Sequence, residues 1–171
     1  MKNIYLLLFL TSYTVMSQQI TPKSAFLEKW NNSKTYLLEM ADAMPEEKYV
    51  FAPTEREMDF KNQLLHICGN MLWLSTTYFS EEDFDRKKLA DNAPNTKSEI
   101  IEFLKKSFDE VSTRVTEVSE ESLTAKVDFF AGPKSKLQIL NLLQDHVTHH
   151  RGQLIVYLNL NEIKPPKYVG W

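Results

Sequence analysis

The chain has 171 residues, 43% of them hydrophobic and 25% charged, the balance of an ordinary single globular domain. Its 23 acidic and 20 basic side chains give a formal net charge of −3 with no long run of either sign, so neither a nucleic-acid-binding stripe nor an acidic tail is present. The one cysteine, Cys68, excludes an intrachain disulfide, a Cys-based zinc site and a Cys-x-x-Cys redox motif, and any metal must rest on His, Asp, Glu or water.

The first residues differ from the rest. Lys2 supplies a positive charge ahead of an apolar run from Ile4 to roughly Val15, and the small, polar Ser17-Gln18-Gln19 follows. A bilayer-spanning helix needs about 20 mostly apolar residues, and this run is shorter, as in a secretory signal peptide. The expectation is a leader over residues 1–17 cut near Ser17, a single mature domain over 18–171, and an exported product, periplasmic or secreted, without a stable membrane anchor. An uncleaved anchor or a buried first helix is the alternative. No cysteine lies near the cut to carry a lipid.

From about Thr21 to Met44, Phe26, Leu27, Trp30, Tyr36, Leu37, Met40 and Met44 recur at helical spacing and predict a first helix. A proline-bounded connection, Pro45 to Pro53, follows. Thr54 with Glu57 three residues on has the spacing of a capping box, which predicts a second helix from about Glu55 to Phe79. Residues 80–95 are polar and carry Pro94, and read as a loop with at most a short turn. Thr96 and Glu99 repeat the capping-box spacing ahead of an apolar stripe through Ile100, Leu104, Phe108, Val111 and Val115, the third helix.

Glu120 to Pro133 carries turn residues and a brief alternation, and reads as an extended crossover. Ser135 to about Asn161 is the fourth helix, and Pro165-Pro166 stops anything beyond it. Four amphipathic helices and no convincing strand set predict an all-α four-helix bundle, with long second and third connections that allow a topology other than simple up and down.

All four histidines fall in two of these helices. His146 and His150 are four apart, so their imidazoles stack on one helical face about 6 Å apart and can aim at a common point. They share the inward stripe of Ile139, Leu143, Val147 and Leu154, where two adjacent imidazoles are costly unless something such as a shared metal compensates them. A third imidazole from another helix would complete a three-histidine centre with open positions, as a catalytic metal requires. His66 lies opposite the strongest apolar face of the second helix, with Asn62, Gln63, Gly69, Asn70 and Trp73. Periodicity leaves two readings: a solvated face, or a pocket where Gly69 lets a ligand approach and Asn70 or Gln63 orients it.

His149 is about 100° round the helix from His150 and cannot share its direction, so it reads as a flanking residue. Gln153, three after His150, can hydrogen-bond a substrate group or a water on the metal. Arg151 reads as a surface or interhelical ion-pair residue, with anionic-substrate binding as the alternative.

These residues resemble the DinB/YfiT-like family. The resemblance rests on Leu64-Leu65-His66-Ile67, on His146-Val147-Thr148-His149-His150-Arg151-Gly152-Gln153-Leu154 some eighty residues later, on Met44 to Tyr49 and Phe51 to Thr54, and on the Pro165-Pro166 ending. The His-His-Arg-Gly-Gln stretch is its specific part. It implies a bundle of up-down-down-up type, often a homodimer, with a divalent metal on His66, His146 and His150; Asn70, His149 and Gln153, read from their spacing, remain the candidates for the surroundings of the metal or the substrate.

The family is described as metal-dependent hydrolases and, in some branches, thiol-dependent transferases and isomerases. An export signal argues against the thiol branch, because low-molecular-weight thiol pools are chiefly cytosolic. The expectation is an exported hydrolase acting on a small molecule through a water on a three-histidine metal, with no nucleic-acid partner. Zinc or nickel comes first, with iron, copper or manganese as further candidates; imidazole ligation disfavours magnesium and calcium. No carboxylate has the spacing of a general base, so no catalytic side chain is named. The rivals are a non-catalytic metal-binding or structural helical protein and a metal-assisted thiol transferase.

Overall fold

A computed structural model describes residues 20–170; the expected leader, 1–17, lies outside the described residues. The elements are helix α1 (Pro22–Ala43), a 3-10 turn (Glu46–Lys48), α2 (Phe60–Phe79), a short α3 (Arg86–Asp91), α4 (Lys97–Glu117), a second 3-10 turn (Glu121–Thr124), strands β1 (Lys126–Val127) and β2 (Lys134–Ser135), and α5 (Lys136–Leu160).

Local chemistry sets most helix starts. Thr21 caps α1 with Ser24, and Thr96 caps α4 with Glu99 at the predicted box. Ser135 caps α5 with Gln138. The box predicted at Thr54 does not form. Thr54 instead accepts Glu57 N–H through its carbonyl in a turn, and α2 begins five residues later than predicted, where Asp59 accepts the Asn62 N–H at 2.7 Å. Tertiary bonds set this boundary: Phe60 N–H donates to Phe51 O and Lys61 N–H to Tyr49 O, while the Tyr157 hydroxyl donates to Met58 O at 2.7 Å. The 80–95 connection contains α3, whose N-cap is Asp85.

The four long helices form a bundle in which α1 packs on α4 and α5, and α2 packs on the same two helices. The pairs α1/α2 and α4/α5 are therefore diagonal. Crossovers are made by the first connection (44–59) and the third (118–135), whereas the second, 80–96, joins neighbours. The third turns through a two-residue antiparallel ladder, with Lys126 opposite Ser135, and closes at Gly132, whose φ of 87° suits glycine.

Every long helix feeds one core. Trp30, Leu37 and Met40 of α1 meet Leu64, Ile67 and Met71 of α2, Leu104 and Phe108 of α4, and Leu143, Val147 and Leu154 of α5, all fully buried. Burial of each such large side chain stabilises the fold by about 1.5–3 kcal/mol. The indole of Trp30 packs on the Phe108 ring at 4.7 Å and donates its N–H to the Phe108 carbonyl at 3.2 Å, so its one polar atom is satisfied. No described helix is long and apolar enough to cross a membrane.

Candidate metal centre

The contact of α2 with α5 brings the two histidine segments together. The His66 and His146 Nε2 atoms are 3.0 Å apart. Ring centroids are 4.9 Å apart for His66 and His146, 4.7 Å for His66 and His150, and 4.5 Å for His146 and His150, a nearly equilateral triangle. One nitrogen from each ring falls within 4.8 Å of the other two, and no carboxylate joins this group among the described residues. His150 is buried, His146 half-buried and His66 exposed, so the triangle lies at the edge of the core with one side open.

A hydrogen-bond chain sets the orientation of His150. Its Nδ1 lies 2.6 Å from Gln63 Oε1 and 2.9 Å from Gln153 Oε1, both acceptors, so Nδ1 carries the proton and the Nε2 lone pair is left for the triangle. Gln63, itself buried, donates from Nε2 to the Tyr157 hydroxyl at 3.2 Å, and that hydroxyl donates to Met58 O. Gln153 spans two imidazoles: its Nε2 lies 3.4 Å from His149 Nε2.

Burial holds all three imidazoles neutral. It is the main cause of pushing His146 down to about 3, with His150 and His66 adding like-charge repulsion. The same desolvation, with repulsion from His66, pushes His150 down to about 4 against an opposing hydrogen bond from Gln153. His66 is lowered by burial first, then by the Arg86 guanidinium and by His149. Neutral imidazoles offer lone pairs, the form a metal requires.

The residues fit a divalent transition ion. Nitrogens held about 2.0–2.1 Å from one ion stand about 2.9–3.4 Å apart at angles between octahedral and tetrahedral, a window that includes the His66–His146 separation. The buried His146 Nδ1 has no hydrogen-bond partner. A cation on the opposite nitrogen would give that atom no partner, so the fit rests on three neutral imidazoles and their spacing. The three-histidine group is thus compatible with a divalent metal site.

The other predicted residues separate. His149 is exposed and packs edge-on to His150 at 4.8 Å, outside the triangle. Asn70 lines a cavity beside His66, and its Oδ1 is buried without a partner. Gln153 reaches His150. Arg151 is not a surface residue and makes no ion pair among the described residues: it is 7% exposed, with its guanidinium carbon 5.2 Å from the Tyr36 ring centroid. The aromatic face of Tyr36 offsets part of its cost of burial.

Two features escape helix periodicity. Gln63 was legible only as a ligand-orienting candidate, and its bond to His150 depends on where α5 crosses α2. Arg86 lies in the segment read as loop, although Asp85 followed by Arg86-Lys87-Lys88-Leu89 carries the N-cap signal that could have revealed α3.

A family model described as "DinB family" matches residues 16–168. A comparison with curated proteins finds no match. Among solved structures, the fold is similar to a DinB-like protein, YjoA, from Bacillus subtilis, with a TM-score of 0.70 and 17% identity over 84% of this chain and 96% of that one. It is likewise similar to a DinB-like protein from Bacillus cereus, with a TM-score of 0.69 and 22% identity over 84% of this chain and 95% of that one.

Proposed function

The chain belongs to the DinB family, and from that premise we propose that it is a divalent-metal-dependent hydrolase whose ion is held by His66, His146 and His150. One observation carries the reading: two helices distant in sequence deliver three neutral imidazoles whose ligating nitrogens converge within 4.8 Å. A structural site closes its ion with four protein ligands, whereas three leave room for substrate. The absence of carboxylates from the group favours zinc or nickel over magnesium or calcium.

A bound ion of this kind polarises a carbonyl or phosphoryl oxygen and lowers the pKa of coordinated water to about 7. The chain's own residues prepare that chemistry. Gln63 and Gln153 hold His150 as the Nδ1–H tautomer, so that its Nε2 lone pair is presented without rearrangement. Tyr157 locks Gln63 in turn through Met58 O, coupling the ligand helix to the first crossover. The exposed His66 side leaves an approach for substrate. Export, supported by Lys2 and the apolar run that follows it, is part of the same proposal.

Elemental analysis of the purified protein, beside an ester, amide and phosphomonoester panel, tests the reading. One equivalent of zinc or nickel, with turnover abolished by chelation and restored by the ion, is expected. Bound metal without turnover on any substrate would overturn the hydrolase assignment, and metal-free active protein would overturn the whole reading.

A further inference from the structure

A cavity of about 390 Å³ opens beside His66, between α2 and the segment leading into α3. Its size is at the lower end of small-molecule pockets, which run about 300–1,000 Å³. Its α2 wall is made by His66, Gly69, Asn70 and Trp73, at i, i+3, i+4 and i+7 of one helical face. Phe84 and Arg86 contribute the opposite wall. The His66 ring thus belongs both to this cavity and to the imidazole triangle.

The lining is chemically one-sided. It contains a guanidinium and an amide but no carboxylate, while the nearby acidic residues Glu82, Asp83 and Asp85 line a separate cavity that also borders Phe84. Arg86 makes no ion pair with any described residue. Arg86 is exposed, and its guanidinium carbon stands 5.9 Å from the Trp73 ring centroid, so the charge lies over the aromatic wall at the solvent edge of the cavity. Asn70 Oδ1 is buried here without a partner. Phe129 and Phe130 of the third connection stack near Trp73, each with its ring 6.4 Å away, and so help fix the position of the indole.

We infer that this cavity is the substrate pocket and takes a small organic oxyanion, a carboxylate or a phosphate ester with an apolar body. Arg86 binds the oxyanion, Trp73 packs the body, and the Asn70 amide, able to donate or accept, fixes its orientation. This rests on the metal-dependent reading above, because the pocket matters for turnover only if the triangle beside it is reactive. The earlier candidate for anion recognition, Arg151, is replaced: it is buried against Tyr36.

The test is calorimetric titration of the full chain, zinc-loaded and after EDTA treatment, with phenylacetate, phenyl phosphate and the neutral phenylacetamide, metal content being measured on each sample. Both anions should bind at least tenfold more tightly than the amide. Arg86→Gln should remove that preference at unchanged zinc content, Arg86→Lys should keep part of it, and Trp73→Ala should weaken all three ligands. Preference for phenylacetate or for phenyl phosphate identifies which oxyanion the pocket takes. Equal binding of anion and amide, or an Arg86→Gln protein with undiminished anion preference, in samples that hold zinc, would overturn the pocket and leave the metal reading intact. Arg86-dependent anion binding in protein that takes up no zinc would support the pocket and overturn the metal reading.

Discussion

The three imidazoles are unequal partners. His150 is buried and held by two glutamines, His146 is half-buried with one nitrogen unpartnered, and His66 reaches in from an exposed position. Their proton affinities follow from those surroundings and make the metal-free protein acid-sensitive. In the unfolded chain each imidazole takes up a proton near its ordinary value of about 6.5. In the folded chain His146 does so only at about 3 and His150 at about 4. The unfolded state therefore binds more protons below about pH 6.5, and stability falls as pH is lowered from there towards 4. Urea unfolding in EDTA at pH 7.5 and 5.5 should show a lower midpoint at 5.5, and His146→Gln should reduce the difference. Equal midpoints would show that the imidazoles are not desolvated as described. Periodicity alone could place His146 and His150 on one face, because that relation is internal to a helix. It could not place His66, whose surroundings are made by α5 and by the connection carrying Arg86.

The helix starts divide on the same principle. Thr96 with Glu99 and Thr54 with Glu57 have identical spacing, but only the first pair caps a helix. At Thr54 the competing bonds are tertiary, from Phe60 and Lys61 to the backbone of the first connection and from Tyr157 to Met58. They draw the chain into a turn before α2 can begin. Asp59→Ala should therefore cost about 1 kcal/mol of stability through loss of the cap, while Thr54→Ala should stay within about 0.5 kcal/mol. Chemical denaturation of the two variants checks this, and a larger loss at Thr54 would contradict the observed boundary. The four long helices were legible because their apolar stripes are long and regular, whereas α3, six residues with no core face, offered little beyond its Asp85 cap.

At the scale of the molecule, the bundle places α2 beside α5 because the first and third connections cross its diagonals, leaving α2 packed between α4 and α5, and α5 between α1 and α2. The four long helices and their apolar faces could be read from the chain, but their order round the bundle could not, since it depends on which faces fit and on crossovers with weak local signals. That order is what makes one centre of residues eighty positions apart. A shared metal centre requires that convergence, and metal titration of the purified protein and its four single-histidine variants measures it. His66→Ala, His146→Ala and His150→Ala should each lose at least tenfold in affinity for zinc, and His149→Ala, whose ring lies outside the triangle, should bind one equivalent as the parent does. Full affinity in His66→Ala, or a loss confined to His149→Ala, would contradict a centre shared between the two helices.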